Sequence, residues 1–123
     1  MIVKTPAELA ETLKPGERLI GLDLGEKTIG VALSDILRMV ATPLVTLSRS
    51  KFTTDAESLI ELIEKHAVGG LVIGLPLNMN GTEGPSAQSA RAFARNFGAK
   101  RPMPILFWDE RLSTHAVTRT LLD

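Results

Sequence analysis

The stretch that decides the fold is Arg18-Leu19-Ile20-Gly21-Leu22-Asp23-Leu24-Gly25-Glu26-Lys27-Thr28-Ile29-Gly30-Val31-Ala32-Leu33-Ser34. Its first half, residues 19–24, is almost entirely apolar, which is typical of a strand buried on both faces of a sheet. A second apolar run covers residues 29–34, and the short polar turn between the runs predicts a β-hairpin. Asp23 interrupts the first run, and a carboxylate in a core strand is costly unless a cation or hydrogen-bond donors meet it.

Asp23 has two interpretations at this point. An Asp close to a Gly near the end of a strand is often turn chemistry, in which the carboxylate accepts hydrogen bonds from nearby backbone amides. The alternative is a functional acid, with Gly25 and Gly30 allowing a tight turn and leaving room beside the carboxylate. The rest of the chain has to decide between them.

The composition is that of one globular domain. The chain has 123 residues, of which 44% are hydrophobic and 23% charged, and it contains no cysteine. The absence of cysteine excludes disulfides, thiolate catalysis and zinc ribbons, and it is compatible with the cytosol. No apolar run approaches the roughly 18 residues of a membrane span, so we expect no membrane association. Lys and Arg balance Asp and Glu at 14 each, whereas nucleic-acid binders usually show a basic excess.

Hydrophobic periodicity and turn residues predict the sequence of helices and strands along the chain. A capping box at Thr5–Glu8 predicts a short leader helix, so we divide the chain into a leader over residues 1–17 and one domain over residues 18–123. A second capping box, Thr54–Glu57, predicts the start of a helix that ends at Gly69-Gly70. Further strands are predicted at Thr42–Leu47, Leu71–Leu75 and Ile105–Trp108, a helix from Pro85, and a final helix capped by Ser113 or Thr114.

This order predicts an α/β protein with a five-stranded mixed sheet, in which three antiparallel strands precede two parallel ones. The hairpin's first strand is expected at the centre, with the parallel strands beside it. Ligands of open α/β sheets usually bind at the carboxyl ends of the strands. We therefore expect Asp23 and the pair Asp109-Glu110 to converge at that edge.

Acids that converge without histidine or cysteine suit a hard cation such as Mg²⁺ or Mn²⁺. Two such ions about 4 Å apart are the usual device for phosphodiester cleavage. Lys27, Arg111 and the loop after Leu75 would then hold backbone phosphates. Within the loop, the candidate contacts are Asn78, Asn80 and Thr82, although turn residues of a plain surface loop explain them almost equally well.

Other chemistries have weaker support. The nucleotide loops GxxxxGK[ST] and GxGxxG are absent. His66 and His115 are the only histidines, and neither lies in the nucleophile-elbow context of a Ser-His-Asp hydrolase.

Three blocks of the sequence, in order, resemble the signature blocks of the YqgF family, also called RuvX. They are GLDLGEKTIGVA over residues 21–32, VIGLPLNMNGTE over residues 72–83 and DERLST over residues 109–114. The resemblance implies an RNase H-like fold and a cytoplasmic bacterial nuclease that processes the 5′ end of the small-subunit (16S) ribosomal RNA precursor. It also implies that Asp23 is the first metal-binding acid and Glu110 the second.

Members of that family carry a further catalytic aspartate on a last helix, beyond a basic loop. We expect the sequence to stop before that segment, so that Asp123 is not the third acid and the domain lacks its C-terminal helix. Two other functions remain open: a resolvase of Holliday junctions, and an RNA-binding assembly factor without catalysis. The protein is expected to be a monomer, or a homodimer through the apolar residues Leu37, Met39 and Val40.

Overall fold

The fold is a single mixed β-sheet with helices on both faces, seen in a computed structural model that describes residues 2–35 and 41–109. The strands are β1 (Ile2–Val3), β2 (Arg18–Leu24), β3 (Thr28–Ser34), β4 (Ala41–Ser48), β5 (Val68–Leu75) and β6 (Ile105–Asp109). The helices are α1 (Pro6–Thr12), α2 (Phe52–Lys65) and α3 (Pro85–Lys100). No helix among these residues is long and apolar enough to cross a membrane.

The sheet has the order β1-β6-β5-β2-β3-β4. Strands β2, β3 and β4 form an antiparallel meander, and β5, β6 and β1 are added in parallel on the other side of β2. The predicted central position of β2 and the mixed character of the sheet are confirmed. The predicted number of five strands is wrong, because Ile2 and Val3 pair with Ile105 and Leu106 and so add a sixth strand at the edge.

Two apolar cores hold the layers together. The larger core lies between the sheet and helices α2 and α3, and includes Ile20, Leu22, Ile73 and Phe97. The smaller core lies on the other face, where Leu9 of α1 packs with Val3 and Leu106 against Leu19 and Val72. The leader predicted over residues 1–17 therefore contributes both a strand and a buried side chain to the sheet, although its status as a separate unit stays a prediction.

The helix starts follow local hydrogen bonding. Helix α1 begins as predicted, with Pro6 in its first turn and the Thr5 hydroxyl accepting a hydrogen bond from the Glu8 amide at 3.1 Å. Helix α2 begins at Phe52, two residues before the predicted capping box. Asp55 is buried, and its carboxylate accepts hydrogen bonds from the Ser50 amide at 3.1 and 3.3 Å instead of marking the first residue of the helix.

Candidate nucleic-acid and metal site

The candidate site lies at the sheet edge where β2, β5 and β6 end. At this edge β2 ends at Leu24, β5 at Leu75 and β6 at Asp109, and the antiparallel strand β4 ends there at Ser48. The turn between β2 and β3 and the loop between β5 and α3 lie at the same edge. The structure thus brings most of the described candidate residues to one rim of the sheet, as the sequence predicts.

Asp23 is exposed on the central strand, on the face opposite α2 and α3. Leu22 and Leu24, its neighbours along β2, both pack into the larger core. Because successive side chains alternate between the two faces of a sheet, Asp23 points the other way. On the neighbouring strand β3 its partner is Gly30, and a Cβ built on that glycine would lie 3.5 Å from the Asp23 Cβ. Gly30 therefore leaves the space beside the carboxylate open, as predicted.

Asp109 lies at the same edge but on the opposite face. It pairs with Leu75 and lies two residues after Phe107, and both of these side chains contact the larger core. Since β5 separates β6 from β2, the backbones at Asp109 and Asp23 are also about 10 Å apart across the sheet. The structure does not bring these two carboxylates together.

The two residues that follow in the sequence, Glu110 and Arg111, lie outside the described residues, as do Leu37, Met39 and Val40. Within the described ranges, no group of three or more Asp, Glu, His or Cys side chains could hold a metal ion. On the face of Asp23, β6 presents Trp108, whose buried indole Nε1 has no hydrogen-bond acceptor among residues 2–35 and 41–109.

Lys27 is exposed in the hairpin turn that follows Asp23. The turn is closed by the Gly25 amide, which donates to the Thr28 carbonyl at 2.8 Å. Arg49, directly after β4, braces this turn: its amide donates to the Lys27 carbonyl and its Nη1 to the Gly25 carbonyl, each at 2.8 Å. The position of Arg49 was missed from sequence, since an arginine after a strand end has no distinctive pattern.

The loop after β5 is built by its own polar side chains. Asn78 Nδ2 donates to Thr82 Oγ1 at 2.9 Å, and Thr82 donates through both its hydroxyl and its amide to Asn80 Oδ1, at 2.7 and 3.1 Å. Gly81 takes a φ of +88°, a conformation that favours glycine. The three predicted phosphate contacts are all exposed, but these bonds show that they also order the loop.

The base of the loop is fixed by an ion pair that the sequence analysis missed. Glu83, which forms a β-bridge with Leu77, accepts hydrogen bonds from Arg91 Nε at 2.7 and 2.9 Å, and Arg91 Nη2 lies 2.7 Å from Glu83 Oε2. The hydrogen bonds from Arg91 lower the pKa of the Glu83 carboxyl. The pair spans a loop and a helix, eight residues apart, so it has none of the i, i+4 spacing that identifies pairs within helices.

Comparisons with known proteins agree on one family. The model of the RuvX family, described as "Holliday junction resolvase", matches residues 17–123. Similar curated proteins occur in Paramagnetospirillum magneticum, 58% identical over all of this chain and 79% of the relative, and in Methylocella silvestris, 57% identical over 95% of this chain and 73% of the relative. Each bears the name "Putative pre-16S rRNA nuclease".

Among solved structures, the fold is similar to that of Thermus thermophilus RuvC, which was determined in complex with a Holliday junction substrate. The TM-score is 0.58 at 11% identity, over 81% of this chain and 69% of the other. A second RuvC structure from the same organism gives a TM-score of 0.54 at 10% identity, over 75% of this chain and 63% of the other. At such low identity the likeness shows the fold alone, and that fold is RNase H-like.

Proposed function

This chain belongs to the RuvX family, and on that premise we propose that it is a metal-dependent endonuclease that processes the 5′ end of pre-16S ribosomal RNA in the cytoplasm. The observation that carries the proposal is Asp23. It is an acid on the central strand, held in position by the core on one face and exposed on the other, at the edge where the loops meet.

For the metal site we propose Asp23 and Glu110 as ligands. Carboxylate oxygens are the donors that Mg²⁺ and Mn²⁺ prefer, so Asp23 fits either ion. Asp109 faces the other side of the sheet. Glu110 is proposed as the second ligand because it lies in the DERLST block by which the chain resembles the RuvX family. Two ions held at such a site would supply water activation and stabilisation of the leaving oxygen.

The other residues act on the substrate. The Lys27 ammonium, on a turn fixed by Arg49, would hold a backbone phosphate near Asp23, and the loop carrying Asn78, Asn80 and Thr82 would contact the neighbouring phosphates. Arg111 is proposed for the same role. None of these contacts reads base identity, so they bind nucleic acid through its backbone.

The deciding experiment compares the full-length protein with its Asp23→Asn variant, on a pre-16S RNA 5′ end and on a four-way DNA junction. With Mg²⁺ or Mn²⁺ we expect cleavage of the RNA and a loss of about 100-fold or more in the variant. Chelation by EDTA should abolish cleavage and added metal restore it. Because Asp23 is exposed, the free energy of unfolding should change by less than about 0.5 kcal/mol.

Glu26→Gln is the matched control, since it removes an exposed carboxylate from the same hairpin without touching the proposed metal site. It should retain wild-type cleavage. Cleavage of the DNA junction alone would instead identify a Holliday junction resolvase, which is the description of the family model. Binding of RNA with no cleavage of either substrate would contradict the nuclease proposal and favour a non-catalytic assembly factor.

A further inference from the structure

Arg91 connects three elements at the edge of the candidate site. It belongs to α3, it forms the two-pronged ion pair with Glu83 at the base of the loop, and its guanidinium carbon lies 4.9 Å from the centre of the Phe107 ring on β6. A guanidinium can satisfy both contacts, because its N–H groups donate to the carboxylate while its delocalised positive charge lies over the face of the ring.

The two segments that Arg91 joins are the ones that carry the proposed chemistry. Glu83 closes the loop through its bridge with Leu77, so its position fixes where the loop starts and ends. Phe107 lies on β6, two residues before the strand ends at Asp109. A shift of Arg91 would therefore change the position of the loop relative to the end of β6.

An exposed ion pair usually contributes little to stability, and this one is only partly buried, with side-chain exposures of 41% for Arg91 and 26% for Glu83. The ion pair therefore contributes little to stability, but its geometry is well defined. Two hydrogen bonds donated by Nε, the contact of Nη2 with Glu83 Oε2 at 2.7 Å and the Phe107 ring hold the guanidinium at one distance and one orientation, which a single flexible ammonium would not do.

We infer that Arg91 is a positioning residue of the nuclease, which holds the loop between Leu77 and Glu83 in a fixed relation to the end of β6. The inference rests on the proposed function. It assigns Arg91 no contact with substrate or metal: its effect on cleavage passes through Glu83 and Phe107.

The test uses Arg91→Lys, which keeps the positive charge but loses the planar fork. Because small displacements of positioned groups reduce rates strongly, we expect the single-turnover rate of RNA cleavage to fall at least about tenfold. The RNA dissociation constant should change by less than about threefold, since the positive charge and all the side chains proposed to contact phosphates are kept. Arg95→Lys, the same exchange one helical turn further along α3 at an exposed arginine, should leave both quantities unchanged.

A second variant and a second readout separate positioning from general destabilisation. Glu83→Gln should reproduce the rate loss, and the double variant should be no slower than Arg91→Lys alone, because the two residues act as one unit. In the absence of RNA, hydrogen exchange in Arg91→Lys should be faster than in the wild type at the amides of Asn78, Gly81 and Thr82. Exchange in β5 should be the same in the two proteins.

Three results would overturn the inference: a wild-type cleavage rate in Arg91→Lys, an equal loss in Arg95→Lys, or faster exchange throughout β5 and β6. If the unmodified protein cut no substrate, the proposed function would fail instead. Hydrogen exchange in the free protein would then decide by itself whether Arg91 holds the loop.

Discussion

Asp23 combines a fixed backbone with an open side chain. The flanking leucines at 22 and 24 anchor β2 in the larger core, while Gly30 opposite leaves the carboxylate unobstructed. A ligand on such a strand needs little reorganisation to meet a cation. The same arrangement explains why removing the charge at Asp23 is expected to affect chemistry and not folding.

The ion pair between Glu83 and Arg91 leads to a prediction of how the stability of the protein depends on pH. Its pKa is lowered from the ordinary 4.5 by the Arg91 hydrogen bonds, so the pair contributes stability that is fully present above about pH 4.5 and is lost as the pH falls through the lowered value. The thermal midpoint of Glu83→Gln should therefore lie below that of the wild type near neutral pH and approach it as the pH falls through the lowered pKa of Glu83.

Glu61→Gln is the control for that comparison, because it removes an exposed carboxylate from α2 without breaking the Arg91 pair. A difference between wild type and Glu83→Gln that stayed constant from neutral pH to a pH at which the Glu83 carboxyl is protonated would show that the ionised carboxylate is not what stabilises the loop.

Single residues also show where sequence reasoning is strong. The place of Asp23 on the central strand, near its carboxyl end, was predictable because one acid stands out in an apolar run. The face on which Asp109 lies was not, because β6 is apolar on both sides and its sequence, Ile-Leu-Phe-Trp, has no alternation that would reveal its register. The Glu83–Arg91 pair joins a loop to a helix, and no periodic spacing marks such contacts.

At the scale of elements, α1 approaches the sheet closely over Gly70. A Cβ at this position would lie 2.9 Å from Leu9 Cδ1 and 3.1 Å from Leu19 Cδ2, both in the tightly packed contact between α1 and the sheet. Because overpacking a filled core costs about 1–3 kcal/mol, Gly70→Ala should lower the free energy of unfolding by that amount, measured by urea denaturation.

Gly21→Ala provides the matched control on the neighbouring strand. There the nearest atom to an added Cβ is the Val72 carbonyl oxygen at 4.0 Å, so the substitution should be tolerated. Equal destabilisation by the two variants would mean that loss of glycine in a strand, and not the approach of α1, sets the cost.

The two strands of the central hairpin were predicted well, whereas strand β1 and the start of helix α2 were not. The bounds of β2 and β3 agree with the sequence, since seven-residue apolar strands flanking a turn are distinctive. Strand β1 has only two residues, too few for any period, and its pairing with β6 depends on the tertiary fold. Helix α2 starts early because Asp55 bonds to the Ser50 amide, a contact that the capping-box pattern does not encode.

At the scale of the whole molecule, the leader segment and the sheet share a core. Val3 and Leu9 are 6% and 2% exposed, and burial of each contributes about 1.5–3 kcal/mol. A chain that begins at Arg18 should therefore lose a large fraction of the 5–15 kcal/mol typical of domains, seen as a lower urea midpoint. It should also bind more of a hydrophobic dye, because Leu106 becomes exposed.

Two point variants separate packing from chain length in that test. Leu9→Ala should cost about 2–5 kcal/mol, whereas Ala10→Ser, at an exposed position of the same helix, should cost far less. An unchanged midpoint for the shortened chain would instead support the division at residue 17 that the sequence predicts.

The pairing of β1 with β6 has a consequence for the time course of folding. The hairpin of β2 and β3 joins strands that are neighbours in the sequence. Ile2, in contrast, can pair with Ile105 only after about one hundred further residues have been synthesised. On a ribosome, the first strand to be synthesised is therefore the last to find its place. Contacts between such distant residues form slowly, so closure of this edge is expected as the final kinetic phase, detectable by the delayed protection of the amides that pair β1 with β6.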